Sequence, residues 1–248
     1  MGSDDLFKKR KAKKLKDHQR KVAMRKPYDR VLIVCEGEKT EPSYFMELRE
    51  YYGLHTANIE ITGECGSSPT TILAKAKELF NKAKQDGNPF DRVYCIFDKD
   101  EHTTYEQTIL EIENITPKGV FFSITSVPCF EYWILLHFTY SCKPFTSSGN
   151  KSAAEYVISE LKNFYPDYEK NKEGIFIDLI DKLDTAIAYA KQISKSNQKT
   201  VTDNPSTSIG ELVEYLRNLK LWNINIKRPS KNWYGLFTWL SYLHAGST

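Results

Sequence analysis

Long apolar runs are absent from this 248-residue chain. None approaches the roughly 18 residues of a membrane-spanning helix, so a soluble protein with no membrane partner is expected. CxxC pairs are absent too. The five cysteines, Cys35, Cys65, Cys95, Cys129 and Cys142, are odd in number, and Cys35 and Cys95 fall inside apolar runs. That pattern excludes a disulfide framework and fits free thiols in a reducing cytosol. The N-terminus carries charge where a signal peptide needs an apolar stretch of about 7 to 15 residues, so a cytoplasmic location is expected. There is no GxxxxGK[ST] phosphate loop, hence no nucleotide site of that kind, and no internal repeat.

What is present suits an ordinary globular protein of one or two domains: 40% hydrophobic and 27% charged residues, with 15 Tyr, 13 Phe and 4 Trp to fill a core. The charge is segregated. Residues 1–26 hold eleven Lys and Arg, among them Lys8, Lys9, Arg10, Lys11, Lys13 and Lys14, against three acids, a net +8. The remaining residues carry 24 basic and 29 acidic groups, a net −5. A basic arm over residues 1–29 is expected to be disordered until it meets a polyanion, and nucleic acid is the natural candidate because each neutralised phosphate releases counterions. A solubilising tail would have the same composition.

From Arg30 the pattern is regular. Val31 to Cys35 and Val93 to Phe97 are continuous apolar runs, each closed by an acid, Glu36 and Asp98. Further strands are expected near Ile59–Ile61 and at Val120–Ile124. Helices are expected from Thr40 to Tyr52, from Pro69 behind a Ser68 cap, from Thr104 to Ile115, and from Phe130 to Phe138. Strands apolar throughout and alternating with helices predict an α/β fold. It is a four-stranded, mostly parallel sheet with helices on both faces over residues 30–140. Residues 141–248 read as a helical C-terminal region, with helices near 151–164, 175–193 and 207–219.

In such sheets the functional crevice lies at the carboxyl ends of the strands. Glu36, Asp98 and Asp100 are placed there, and the last two, being two residues apart in extended backbone, share a side. Carboxylates gathered in this way repel one another unless a cation sits among them, and Mg²⁺, or Mn²⁺ in its place, is the hard cation such ligands suit. Strand ends also carry acids as turn residues. A DxD after an apolar strand also fits phosphotransferases of the haloacid-dehalogenase type, but there it follows the first strand, and His102 stands here where their motif wants Thr or Val.

The glutamate after strand one and the DxD after strand three resemble the Toprim domain of topoisomerases, primases and related nucleases. Three further runs carry a more specific likeness: Cys35-Glu36-Gly37-Glu38-Lys39-Thr40-Glu41-Pro42, Phe97-Asp98-Lys99-Asp100-Glu101-His102, and Pro128 to Phe138. With the later Asn204-Pro205-Ser206-Thr207, they are similar to the RloB-like and AbiLii family of phage-defence proteins over about residues 30–216. The resemblance implies a Toprim-like catalytic domain at 30–140 and a metal-dependent nuclease acting on RNA or DNA in antiviral, abortive-infection defence. It also implies an AAA- or ABC-type ATPase partner. Glu36 is then the general acid or base and a metal ligand, with Asp98 and Asp100 holding metal. By analogy with nucleases of this class, Glu41 and Glu131 are candidates for a second ion; Glu41 equally reads as an acid complementing a helix N-terminus. Lys39 is a candidate phosphate contact and His102 a candidate proton shuttle. The alternative is a non-catalytic nucleic-acid-binding or adaptor subunit of an ATPase-containing complex. The aromatic C-terminus, with Trp222, Trp233 and Trp239 among lysines, suits either base stacking or packing.

Overall fold

The computed structural model describes residues 29–219, apart from Ala57, Glu64, Cys65, Ser67, Asp100 and Glu101. Five strands form one sheet: β1 (Val31–Cys35), β2 (Ile59–Thr62), β3 (Arg92–Asp98), β4 (Phe121–Val127) and β5 (Ser206–Thr207), in the order β2-β1-β3-β4-β5. The first four run parallel and β5 pairs antiparallel to β4, so the sheet is mostly parallel. Between them lie α1 (Thr40–Tyr51), α2 (Pro69–Gln85), α3 (Tyr105–Asn114) and α4 (Glu131–Leu135). The helical C-terminal part contributes α5 (Ala153–Leu161), α6 (Ile175–Leu179), α7 (Leu183–Thr200) and α8 (Ile209–Asn218).

Strand alternation divides the core. Val31, Ile33 and Cys35 of β1, with Tyr94 and Ile96 of β3, face a large apolar cluster built with α1 and the helices from α4 onward. Leu32, Val34, Val93, Cys95 and Phe97 face the other side, where α2 and α3 cover them. Both faces are therefore dry, which is why these strands are apolar at every position. Trp133, fully buried, donates its indole N–H to the Tyr44 hydroxyl at 2.9 Å, tying α4 to α1. The α2 helix starts as its sequence indicates: Ser68 accepts from the Thr71 N–H at 3.3 Å and Pro69 occupies the first turn.

Four details differ from the sequence expectation. β4 extends to Val127, because Ser123, Thr125 and Ser126 join the ladder beside β3 although they lack apolar character. The helix expected from Phe130 to Phe138 is regular only over Glu131–Leu135 and continues as turns. The expected 175–193 helix is divided by a short 3₁₀ segment at Ile180–Lys182 and then runs on to Thr200. β5 is additional, a two-residue edge with no apolar signal. Cys35, Cys95 and Cys129 are buried, and neither they nor exposed Cys142 are in a disulfide. Among the described residues no helix is long and apolar enough to cross a membrane. The arm with Lys8, Lys9, Arg10, Lys11, Lys13 and Lys14, Asp100, and the aromatic segment from Trp222 lie outside the described residues.

Candidate active site

At the carboxyl end of the parallel strands, four acids from four elements converge. Glu36 follows β1, Asp98 ends β3, Glu41 lies in the first turn of α1 and Glu131 opens α4. Their placement follows from local structure. The Glu36 carboxylate accepts the Asp98 backbone N–H at 2.8 Å, so the end of β1 is pinned to the end of β3. Asp98 in turn accepts the Phe130 N–H at 3.0 Å, fixing the approach to α4. The Glu41 carboxylate folds back against Gly37, where a Cβ would sit 2.0 Å from Oε2, so a larger residue at 37 would displace that carboxylate.

Burial makes this gathering costly. Glu41 is 8% exposed and Glu131 5%, and the side chain of Glu36 is 16% exposed. Burial pushes the Glu41 carboxyl up to about 7, and the charges of Glu131 and Glu36 add to the rise. Burial likewise raises Asp98 well above the usual carboxylate range, followed by repulsion from Glu41, Glu131 and Glu36, while the Phe130 N–H works against it. The buried Cys129 thiol is raised by desolvation and by Glu131 and Asp98, so it is a neutral neighbour of the cluster.

Compensating groups are few. His102 Nε2 lies 3.6 Å from Glu36 Oε1, an ion pair whenever the imidazole is protonated. Glu131 receives the Tyr168 hydroxyl at 3.1 Å and has Lys170 Nζ at 3.8 Å. Tyr168 and Lys170 carry no sequence signal: they sit in the polar stretch after α5, which docks onto α1 through the Asn171 N–H on Thr40 Oγ1 at 3.1 Å. Lys39 is exposed at the N-terminal boundary of α1, so it is Lys170 that reaches the acids. Lys99, between the two DxD aspartates in sequence, pairs with Asp203 and with Glu106 at 3.4 Å. His137 is buried away from the site against Trp133, and burial holds its imidazole down at about 4.

The donor set tests directly for a cation. It is all oxygen, gathers four carboxylates and, in ion pairs with described residues, has one lysine and one histidine in reach, a chemistry that fits Mg²⁺ or Mn²⁺ and not a thiolate-seeking metal. Among the described residues, no three His, Cys, Asp or Glu side chains are drawn close enough to enclose an ion unaided.

Tyr168 is testable on its own. Tyr168→Phe removes the hydroxyl from a buried carboxylate and is expected to lower stability by about 1.5–3 kcal/mol, read as a shifted urea midpoint. An unchanged midpoint would show that Glu131 does not depend on this bond.

No curated protein matches the chain. The family model of the RloB-like protein matches residues 31–216. That span runs from the first residue of β1 into α8 and includes Glu36, Glu41, Asp98, Glu131 and the Tyr168–Lys170 stretch, so the chain belongs to the RloB-like family.

Proposed function

We propose that this protein is a Toprim-type, divalent-metal-dependent nuclease that hydrolyses phosphodiesters of RNA or DNA as an effector of antiviral, abortive-infection defence. The observation that carries the reading is the convergence of Glu36, Glu41, Asp98 and Glu131 in a buried cluster where Asp98 and Glu41 are pushed towards neutrality, first by burial and then by their acidic neighbours. A fold keeps such self-repelling acids at a strand-end crevice when a cation is their partner. Asp98, Glu36 and Asp100 would hold Mg²⁺ or Mn²⁺, with Glu41 and Glu131 available to a second ion. Bound there, the metal would supply Lewis-acid neutralisation of phosphoryl charge and orient the phosphodiester.

The chain's own residues do the rest. Glu36, held by the Asp98 N–H, presents its other oxygen to His102 and so has a defined direction for taking a proton from an attacking water. Lys170 and Lys39 offer positive charge at the rim, where a phosphate would enter. Family membership supports the defence setting, and the resemblance supports an AAA- or ABC-type ATPase partner.

The test is cleavage of labelled transfer RNA and plasmid DNA by purified protein in Mg²⁺ or Mn²⁺ and in EDTA, with and without any AAA- or ABC-type ATPase encoded beside it. Cutting that requires the metal is the expected result and identifies the substrate. Cutting unaffected by EDTA, or none under any of these conditions, would overturn the reading.

A further inference from the structure

We propose that α7, together with the cleft between it and α8, is a track for the phosphate backbone of a single-stranded polynucleotide leading to the acidic site; naming the ligand as nucleic acid rests on the nuclease reading above. Lys191, Lys195 and Lys199 recur every four residues on α7, and all three are exposed. At 1.5 Å per residue they stand about 6 Å apart along the axis and drift only about 80° around it, so they form one cationic stripe. Lys191 is shared with Glu214 at 2.6 Å, whereas Lys195 and Lys199 take part in no ion pair with a described residue.

The stripe borders a cleft of about 340 Å³ whose polar lining is Lys191, Ser194, Lys195, Gln198, Thr207 and Glu211, set among apolar residues of α7 and α8. Its donors are lysine ammoniums, hydroxyls and an amide, the groups that contact phosphate and sugar without reading sequence. Among the described residues that line it Glu211 is the only acid, and burial raises that carboxyl above the usual range. Positive charge here is selective, because the chain beyond the first 26 residues is net −5.

The cleft also leads to the site. Thr207 of β5 lies beside Ser126 of β4, their hydroxyls 3.0 Å apart, and Ser126 is the β-ladder neighbour of Asp98. Two strand spacings, about 10 Å, separate the backbone of the cleft wall from that of the central acid. A strand laid along α7 thus has a short path to the four carboxylates, which repel a polyanion unless it is gathered from the side.

Binding in EDTA separates this inference from catalysis. Fluorescence anisotropy of a labelled single strand, with the full chain across a KCl series, compares Lys195→Glu/Lys199→Glu with Lys82→Glu/Lys84→Glu, an equal charge change on α2 at the opposite sheet face. The α7 pair is expected to weaken binding about tenfold more than the α2 pair and to reduce the log–log salt slope by about 1.4, two phosphate contacts for a single strand. The milder Lys195→Gln/Lys199→Gln variant is expected to reduce the slope equally while retaining the wild-type melting temperature. Loss of binding in the α7 variants supports the track even if no nucleic acid is ever cut. Equal binding by α7 and α2 variants overturns it even if metal-dependent cutting is found.

Discussion

Asp98→Asn is expected to lower metal-dependent cleavage by about 10²- to 10⁴-fold while leaving the metal-free protein as stable as wild type or more stable. The two effects have opposite signs for one reason. Asp98 is surrounded by Glu41, Glu131 and Glu36 in a desolvated position, and its ionised form is disfavoured there. Asparagine has the same shape, and its side-chain oxygen still accepts the Phe130 N–H, so the loop between β4 and α4 keeps its anchor. What disappears is one negative charge that a cation would need and an empty cluster would not. Cleavage kinetics and urea unfolding in EDTA, measured on the same preparation, check both halves. Full cleavage by the variant would remove Asp98 from the site. Lost activity with a large fall in stability would mark Asp98 as a structural anchor instead.

The parts of the fold that were legible share a physical cause. β1 and β3 are covered on both faces, so Val31–Cys35 and Val93–Phe97 show the continuous apolar runs that a parallel central strand requires. Their closing acids, Glu36 and Asp98, were legible with them because a strand end in an α/β sheet has a known relation to the crevice. The α4 region was misjudged in length because Phe130 to Leu136 is buried on every side, and a segment without a polar face shows no period to read. β5 could not be read from two residues whose only reason to be extended is the β4 edge they meet.

The same limit applied to the site. Glu41 and Glu131 were reached through the likeness to nucleases of this class, and Glu41 read equally well as an acid at a helix N-terminus. Tyr168 and Lys170 could not be found that way, since they reach Glu131 only because Thr40 and Glu47 of α1 hold the stretch before α6. Thr40 accepts the Asn171 N–H, and Glu47 accepts the Gly174 and Phe176 N–H groups at 2.7 and 2.9 Å. The partner of a buried carboxylate here is thus supplied by backbone hydrogen bonds made dozens of residues away, information that spacing along the chain does not carry.

The metal-free protein is expected to lose stability as pH rises from about 4.5 to about 7, and Glu41 is the residue to test. In the unfolded chain its carboxyl ionises near its ordinary 4.5; in the folded protein, burial and the neighbouring acids delay ionisation to about 7. Between these values the native state binds the extra proton, so stability falls with rising pH and levels off above 7. The gap corresponds to about 3 kcal/mol, or about 6–12 °C in melting temperature for a domain of this size. Asp98 acts in the same direction, since its carboxyl too is raised. Glu41→Gln cannot ionise, and is expected to remove about 2.5 kcal/mol of the difference between pH 5 and pH 8 in EDTA. Mg²⁺ added at pH 8 is expected to stabilise wild type more than it does at pH 5, where protons already neutralise the cluster. A wild-type stability in EDTA that rises from pH 5 to pH 8, or a variant with the full wild-type slope, would show that Glu41 does not carry this proton.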